Sequence, residues 1–234
     1  MRLLYTVKGR KGACMLTGPV GSGKTTIAKV FQQKLSKEGC SVGVISNPNL
    51  NGTELLQDIL YHLGQDLPGT SKVQLFHALQ KKMMANHNAG RQTVIVIDEA
   101  HLIRDEVYEE LRLLLNYHAD NKFLVTLILA GQPELTGAIR KSPQFEQRIP
   151  IRFHLKPLSF VDTCKYIHFR LATAGIKKNV FSAEAAKSIY RYSGGIPRMI
   201  NNICDMSLMV GFIKKAVEIN HEIIDQVIKD HQQQ

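Results

Sequence analysis

The chain has 234 residues, of which 44% are hydrophobic, and its formal net charge at pH 7 is +10. That length suits one domain of ordinary size with its own core and a smaller attached domain. The longest nearly apolar run, from Phe123 to Gly131, is far shorter than the roughly 20 residues that cross a bilayer. No apolar signal core follows the basic N-terminus, so we expect a cytoplasmic protein with no membrane span.

The cysteine and histidine spacing excludes two further classes of protein. The four cysteines are scattered, which argues against the disulfide framework of a small secreted domain. The nine histidines form no metal-ligand pattern such as HExxH. We therefore expect reduced cysteines, and we expect any metal ion to arrive with a nucleotide.

Apolar runs alternate with helical patterns as far as residue 154, which predicts a parallel β-sheet between layers of helices. The predicted strands are 13–17, 42–46, 94–97, 124–129 and 150–154. The helices predicted between them cover 27–35, 55–63, 73–83 and 105–117, with a short one after Pro133.

After Pro157 the pattern is helical alone. Helices are predicted at 160–174 and 182–192, from Pro197 onward and after Asn220, a favourable N-cap. We expect an α/β domain over residues 1–156 and a small all-helical lid domain over residues 157–234.

The stretch GPVGSGKTT at 18–26 has the GxxxxGK[ST] spacing of a P-loop (Walker A), between a predicted strand and a predicted helix. Its glycines let backbone N–H groups surround phosphate oxygens, and the following helix N-terminus favours negative charge. Lys24 would neutralise the β- and γ-phosphates, and the Thr25 hydroxyl would bind Mg²⁺. The predicted nucleotide-binding residues are Gly18, Pro19, Val20, Gly21, Ser22, Gly23, Lys24, Thr25 and Thr26.

Asp98 and Glu99 directly follow the predicted strand VIVI, where parallel sheets place ligand-binding groups. Asp98 would hold the Mg²⁺ as a Walker B carboxylate and also belong to the nucleotide site. Glu99 would polarise a water for attack on the γ-phosphate. An acid pair at this position predicts ATP hydrolysis rather than transfer to a small acceptor.

Three further polar residues lie where a ring or filament ATPase needs them. Gln132 ends the run LVTLILAG and can orient the attacking water, although a plain turn before Pro133 explains it nearly as well. Arg148 precedes the last predicted strand, where it would project into a neighbouring subunit as an arginine finger or form a surface ion pair. Arg198 follows GGIP and would touch the γ-phosphate from the lid of the same subunit.

Taken together, these motifs make the chain resemble an AAA+ ATPase of the ExeA/GspA secretion type, a group related to the transposition regulators TnsC, TniB and MuB. The resemblance is carried by LTGPVGSGKTT, NPNLNGTELLQDILYHLG, VIVIDEAHLI, GQPEL, QRIPIRFHLKPLS and GGIPRMIN. Members of the group normally carry a segment before the first strand that helps to cover the adenine, whereas this sequence reaches that strand by residue 13. ExeA itself also has a transmembrane helix and a periplasmic extension. The resemblance therefore implies ATP and Mg²⁺ as cofactors more directly than it implies secretion.

Two partner hypotheses stay open. The first is an ATP-driven homo-oligomer that acts on a protein partner of a secretion, pilus or transposition complex. The second is an ATP-dependent regulator that assembles on duplex DNA through its basic clusters. These clusters, which ordinary solvated surface also explains, are Arg2, Lys8, Arg10 and Lys11, the pair 177–178 and the pair 214–215.

Two other enzyme classes fit poorly. The letters DEAH at 98–101 are those of a helicase motif, but no second RecA-like half and no QxxGRxGR motif follow. A small-molecule kinase shares the P-loop but normally lacks the glutamate beside the Walker B aspartate.

Overall fold

The structure is a computed structural model that describes residues 2–176 and 178–232; Lys177, from one of the basic pairs, lies outside the described residues. The chain divides into two compact units. The first comprises the residues up to Gly18 together with Lys24–Leu155, and the second comprises Pro19–Gly23 together with the residues from Lys156 onward. Five residues of the P-loop motif thus group with the helical unit.

A five-stranded parallel sheet forms the centre of the first unit, and its strand order is β2-β3-β6-β1-β7. The strands are β1 Ala13–Thr17, β2 Ser41–Ile45, β3 Thr93–Ile97, β6 Val125–Gly131 and β7 Ile151–His154. A separate two-stranded hairpin pairs β4 His118–Ala119 with β5 Lys122–Phe123. The prediction of a parallel α/β sheet is confirmed, with strand bounds within two residues of those expected.

Both faces of this sheet are covered, because side chains alternate between two apolar clusters along each strand. Ile95 and Ile97 of β3 pack in the larger cluster, with helices that follow β2 and β3. Val94 and Val96 of the same strand point the other way, into a smaller cluster that contains Phe31. This burial on both faces explains why β3 reads as an unbroken β-branched run.

The helices of the first unit are α1 Arg2–Lys8, α2 Lys24–Lys37, α3 Gly52–His62, α4 Lys72–Asn88, α5 Tyr108–Leu114, α6 Glu134–Arg140 and α7 Pro143–Glu146. Helices α1 and α7 were not predicted. The helix predicted at 105–117 is shorter than expected, because Asp105–Val107 forms a 3-10 turn and the chain leaves α5 after Leu114 to enter the β4–β5 hairpin.

The second unit contains α8 Phe160–Thr173, α9 Ala183–Ser193, α10 Pro197–Ile213 and α11 His221–Gln232, packed around an apolar cluster of their own. Proline opens α10 as predicted, and the Asn220 side chain accepts a hydrogen bond from Ile223 N–H at 3.2 Å, as an N-cap does. Gly195, at φ +76°, ends the turn before α10; its carbonyl accepts a hydrogen bond from Leu158 N–H, and a Cβ there would lie 2.0 Å from Leu158 O. Only glycine fits that position.

Within residues 2–176 and 178–232, no helix combines the length and apolarity that a membrane span requires.

All four cysteines lie within residues 2–176 and 178–232 as free thiols. Burial raises the pKa of Cys14 and of Cys204 to about 12, so both thiols stay protonated and unreactive at neutral pH.

Candidate functional site

Three neighbouring strands of the first unit end at the same edge of the sheet, and their ends carry the predicted chemistry. Residue Thr17 of β1 pairs with Gly131 of β6, and Leu129 of β6 pairs with Ile97 of β3. Strand β6 therefore lies between the strand that leads into the P-loop and the strand that leads into Asp98. Ligands of open parallel sheets bind outside these carboxyl ends.

The P-loop has the backbone that close approach to an anion requires. Gly21 and Gly23 have φ values of +77° and +96°, a region that other residues rarely adopt. In this loop Ser22 N–H donates to Pro19 O at 3.2 Å, whereas the N–H groups of residues 20, 21 and 23 donate to no acceptor in the described chain. The Ser22 hydroxyl is buried and has no partner there either. Unpaired donors around a glycine-rich turn fit a phosphate group.

Helix α2 begins at Lys24, so its N-terminus directly follows the loop. The Lys24 side chain is only 6% exposed, and its ammonium group donates to Gly18 O at 2.9 Å. This contact holds the ammonium group against the loop. A phosphate oxygen can take the place of the Gly18 carbonyl as its acceptor. Thr25 and Thr26 follow in the first turn of α2, and both are exposed.

Asp98 is the buried acid of this edge. Its side chain is 6% exposed, its Oδ1 accepts a hydrogen bond from Glu99 N–H at 3.0 Å, and its own N–H donates to Ile45 O. Among the described residues, no basic side chain forms an ion pair with it. A buried carboxylate without a charged partner is costly, so this donor set fits a Mg²⁺ ion.

Glu99 is held in an unusual backbone conformation. Its φ of 48° and ψ of 35° place it in the left-handed region, which costs a non-glycine residue of order 1–3 kcal/mol. The side chain is 41% exposed, but its Oε2 is buried without a hydrogen bond and lies 3.4 Å from His101 Nδ1. One carboxylate oxygen is therefore turned inward while the side chain as a whole stays accessible to water.

The structure brings Gln132 to the same place through His101, which the sequence analysis did not single out. The Gln132 side-chain nitrogen lies 2.9 Å from His101 Nε2. The signal was present in the sequence, since His101 follows Glu99 by two residues, but the contact depends on β3 and β6 being neighbours.

The remaining predicted residues, Arg148 and Arg198, lie in different units. Arg148 follows α7, and its Nη2 donates to Asn116 Oδ1 at 3.3 Å. Nearby Arg152 has a carboxylate partner, Glu146 at 3.0 Å, whereas no ion pair to Arg148 is seen in residues 2–176 or 178–232.

Arg198 is exposed in the first turn of α10, and its N–H donates to Gly21 O at 3.2 Å within the second unit. A Cβ on Gly21 would lie 2.7 Å from Arg198 Cβ, so this contact also requires the glycine.

A parallel sheet whose first strand leads through a glycine loop into a helix, with helices on both faces, defines the P-loop NTPase class. A family model described as an AAA domain matches residues 7–139, and the chain belongs to this family. Membership of this family indicates that the protein is a nucleotide hydrolase.

Two curated proteins are similar over most of the chain. It is 39% identical to general secretion pathway protein A of Aeromonas hydrophila over 223 residues, which cover 94% of this chain and 40% of that protein. It is 26% identical to DNA polymerase III subunit gamma of Buchnera aphidicola over 201 residues, 84% of this chain and 51% of that one. The chain thus spans about half or less of the relatives it matches. The first similarity confirms the resemblance to the ExeA/GspA group.

Solved structures confirm the AAA+ fold. The ORC2 protein of Aeropyrum pernix aligns with a TM-score of 0.70 at 16% identity, over 97% of this chain and 65% of that one. The Holliday junction branch migration motor RuvB of Thermotoga maritima aligns with a TM-score of 0.64 at 21% identity, over 97% and 66%. At these identities the likeness concerns the fold alone.

Proposed function

We propose that the chain is a Mg²⁺-dependent ATPase that assembles head to tail and drives or regulates a partner complex of the secretion type. The observation that carries the proposal is the sheet edge at which Asp98, buried and without an ion pair among the described residues, lies beside Glu99, whose side chain is accessible to water. Asp98 and Thr25 would hold Mg²⁺, and Lys24 would bind the β- and γ-phosphates. Bound Mg²⁺ would neutralise charge that develops on the phosphates.

In this proposal Glu99 accepts a proton from the water that attacks the γ-phosphate, and Gln132 helps to orient that water. Arg198 contacts the γ-phosphate from the helical unit and so couples nucleotide state to that unit. Its support is the contact with Gly21 of the P-loop.

The adenine ring of the nucleotide would occupy a cleft of about 450 Å³ in the first unit. The cleft opens beside Thr26 and Ile27, in the first turn of α2, and is otherwise lined mainly by apolar side chains of α1, α2 and β7. An apolar lining one helical turn from the phosphate loop suits a flat heterocycle such as adenine.

Assembly rests on Arg148. Its guanidinium is half-buried, lacks a carboxylate partner in the described chain and makes one 3.3 Å contact with Asn116, which a neighbouring subunit could replace. A cation supplied across an interface stabilises charge in the transition state of phosphoryl transfer.

The ATPase rate per subunit, measured against protein concentration, tests this proposal. We expect the rate to rise steeply and then level off, because the site is completed by a second subunit. A rate per subunit that is constant down to a dilution at which the protein is a monomer would contradict assembly.

A second candidate, assembly on duplex DNA, is favoured by the net charge of +10 and by exposed Lys8 and Lys11 beside Arg10. The same assay with duplex DNA separates the two functions. A DNA regulator would bind DNA in the presence of ATP and lose roughly 10³–10⁵ in affinity between 50 and 200 mM salt if it makes 6–10 phosphate contacts. Absence of DNA binding at low salt with ATP would leave a protein partner.

A further inference from the structure

We propose that His101 is a positioning residue that connects Gln132 to Glu99 and fixes the inward oxygen of the Glu99 carboxylate. This inference rests on the proposed ATPase function and assigns to it a residue outside the predicted set. The three side chains come from the turn after β3 and the end of β6, two adjacent strands of the first unit.

We infer from the contacts of the His101 ring which of its nitrogens carries a proton. The Gln132 side-chain nitrogen, which can only donate, lies 2.9 Å from Nε2, so Nε2 accepts and the proton of the neutral ring is on Nδ1. Nδ1 in turn lies 3.4 Å from Glu99 Oε2. The Gln132 main-chain N–H also donates towards Nδ1, which fits the opposite tautomer, but at 3.5 Å, the outer limit of a hydrogen bond. Our inference follows the shorter contact, and the measurement below decides between the two tautomers.

Burial makes these contacts consequential. The His101 side chain is 13% exposed, and Oε2 of Glu99 is buried without a hydrogen bond, 3.4 Å from His101 Nδ1. A buried carboxylate oxygen needs a donor, and Nδ1 of His101, 3.4 Å away, is placed to supply one once the two groups move closer. Hydrogen bonds to catalytic groups are often long in ligand-free structures and shorten in the reacting complex.

This chain of contacts has a mechanistic consequence. If His101 holds Oε2, the other oxygen of Glu99 is presented to the attacking water in one orientation. Because Gln132 holds the His101 ring, a displacement of the end of β6 by the γ-phosphate would also move the Glu99 carboxylate. His101 would thus act on the proposed base without touching the nucleotide.

The tautomer is measurable without nucleotide. We expect carbon and nitrogen chemical shifts of histidine-labelled protein, assigned with the His101→Asn variant, to show His101 in the Nδ1–H form, the minor form of a free imidazole. The Gln132→Ala variant should lose this preference. A Nε2–H ring in the unmodified chain, or a Nδ1–H ring unaffected by Gln132→Ala, would overturn the inference.

Kinetics supply the second test. We expect His101→Ala to lower kcat roughly 10-fold, equivalent to about 1.4 kcal/mol, with the Kd for ATP within about twofold. His101→Gln, which keeps a donor and an acceptor, should recover to within about threefold, since it can replace the single hydrogen bond to the Glu99 carboxylate. A His87→Ala variant is the matched control, because His87 is also partly buried in the first unit but contacts Arg10 and Asp120 instead; its kcat should be unchanged.

The outcomes separate the two proposals. If the unmodified chain hydrolyses ATP and His101→Ala retains full kcat, the positioning role is wrong and the ATPase proposal stands. If the unmodified chain hydrolyses no ATP at any concentration, the ATPase proposal fails, and the tautomer measurement still tests the His101 contacts.

Discussion

Replacing Glu99 by glutamine is expected to lower kcat for ATP by roughly 10²–10⁴-fold, the range that general-base catalysis contributes. Glutamine keeps the size of the side chain but cannot accept the proton of the attacking water. The P-loop and Asp98 are untouched by the change, so the Kd for ATP should stay within about twofold. Single-turnover hydrolysis and equilibrium binding of the same preparation measure both quantities.

The matched control for this change is Glu106→Gln. Glu106 is exposed in the 3-10 turn seven residues further along the chain, so the variant removes the same charge away from the site. It should hydrolyse ATP at the unmodified rate. Undiminished turnover by the Glu99 variant would remove Glu99 from the mechanism.

Replacing Arg148 by alanine is expected to lower kcat by roughly 10³-fold or more, as loss of an arginine finger does. ATP binding by the isolated subunit should be unaffected, because the guanidinium acts on a neighbour. Arg140→Ala is the control: Arg140 ends α6, is exposed and carries the same charge. Its loss should leave the rate nearly unchanged.

Mixing the two inactive variants shows whether Arg148 acts in trans. In a head-to-tail assembly of equal parts, about one junction in four pairs an intact Glu99 from the Arg148→Ala subunit with an intact Arg148 from the Glu99→Gln subunit. Activity should therefore reappear on mixing. A mixture as inactive as its components would mean that Arg148 serves its own subunit or has no catalytic role.

The sheet of this protein was predictable because its signal is local. Strand β3 is buried on both faces, so its sequence is a continuous apolar run, and the glycine loop marks where β1 ends. Helix α1 was not predictable in the same way. It has only seven residues, too few for a stable isolated helix, and it is held by packing of Val7 in the core.

The candidate site was predictable one residue at a time but not as an arrangement. Lys24 and Asp98 follow from motif spacing, since each lies directly after a recognisable strand. The contact between His101 and Gln132 depends on β3 and β6 being neighbours, although 31 residues separate the two side chains. Strand order is set by packing across the whole sheet, which no local pattern encodes. The β4–β5 hairpin had a local signal in the pair Asp120–Asn121, residue types that tolerate positive φ, and both adopt the positive φ of a tight hairpin turn.

Titration calorimetry with ATP and Mg²⁺ tests the central claim most directly. We predict a saturable heat of binding that requires Mg²⁺ for full affinity and is lost in Lys24→Ala. It should persist in Lys29→Ala, which removes an exposed lysine from the same helix. If ATP produced no heat, or if a folded Lys24→Ala variant bound it as tightly as the unmodified chain, the loop at 18–26 would not be a triphosphate site.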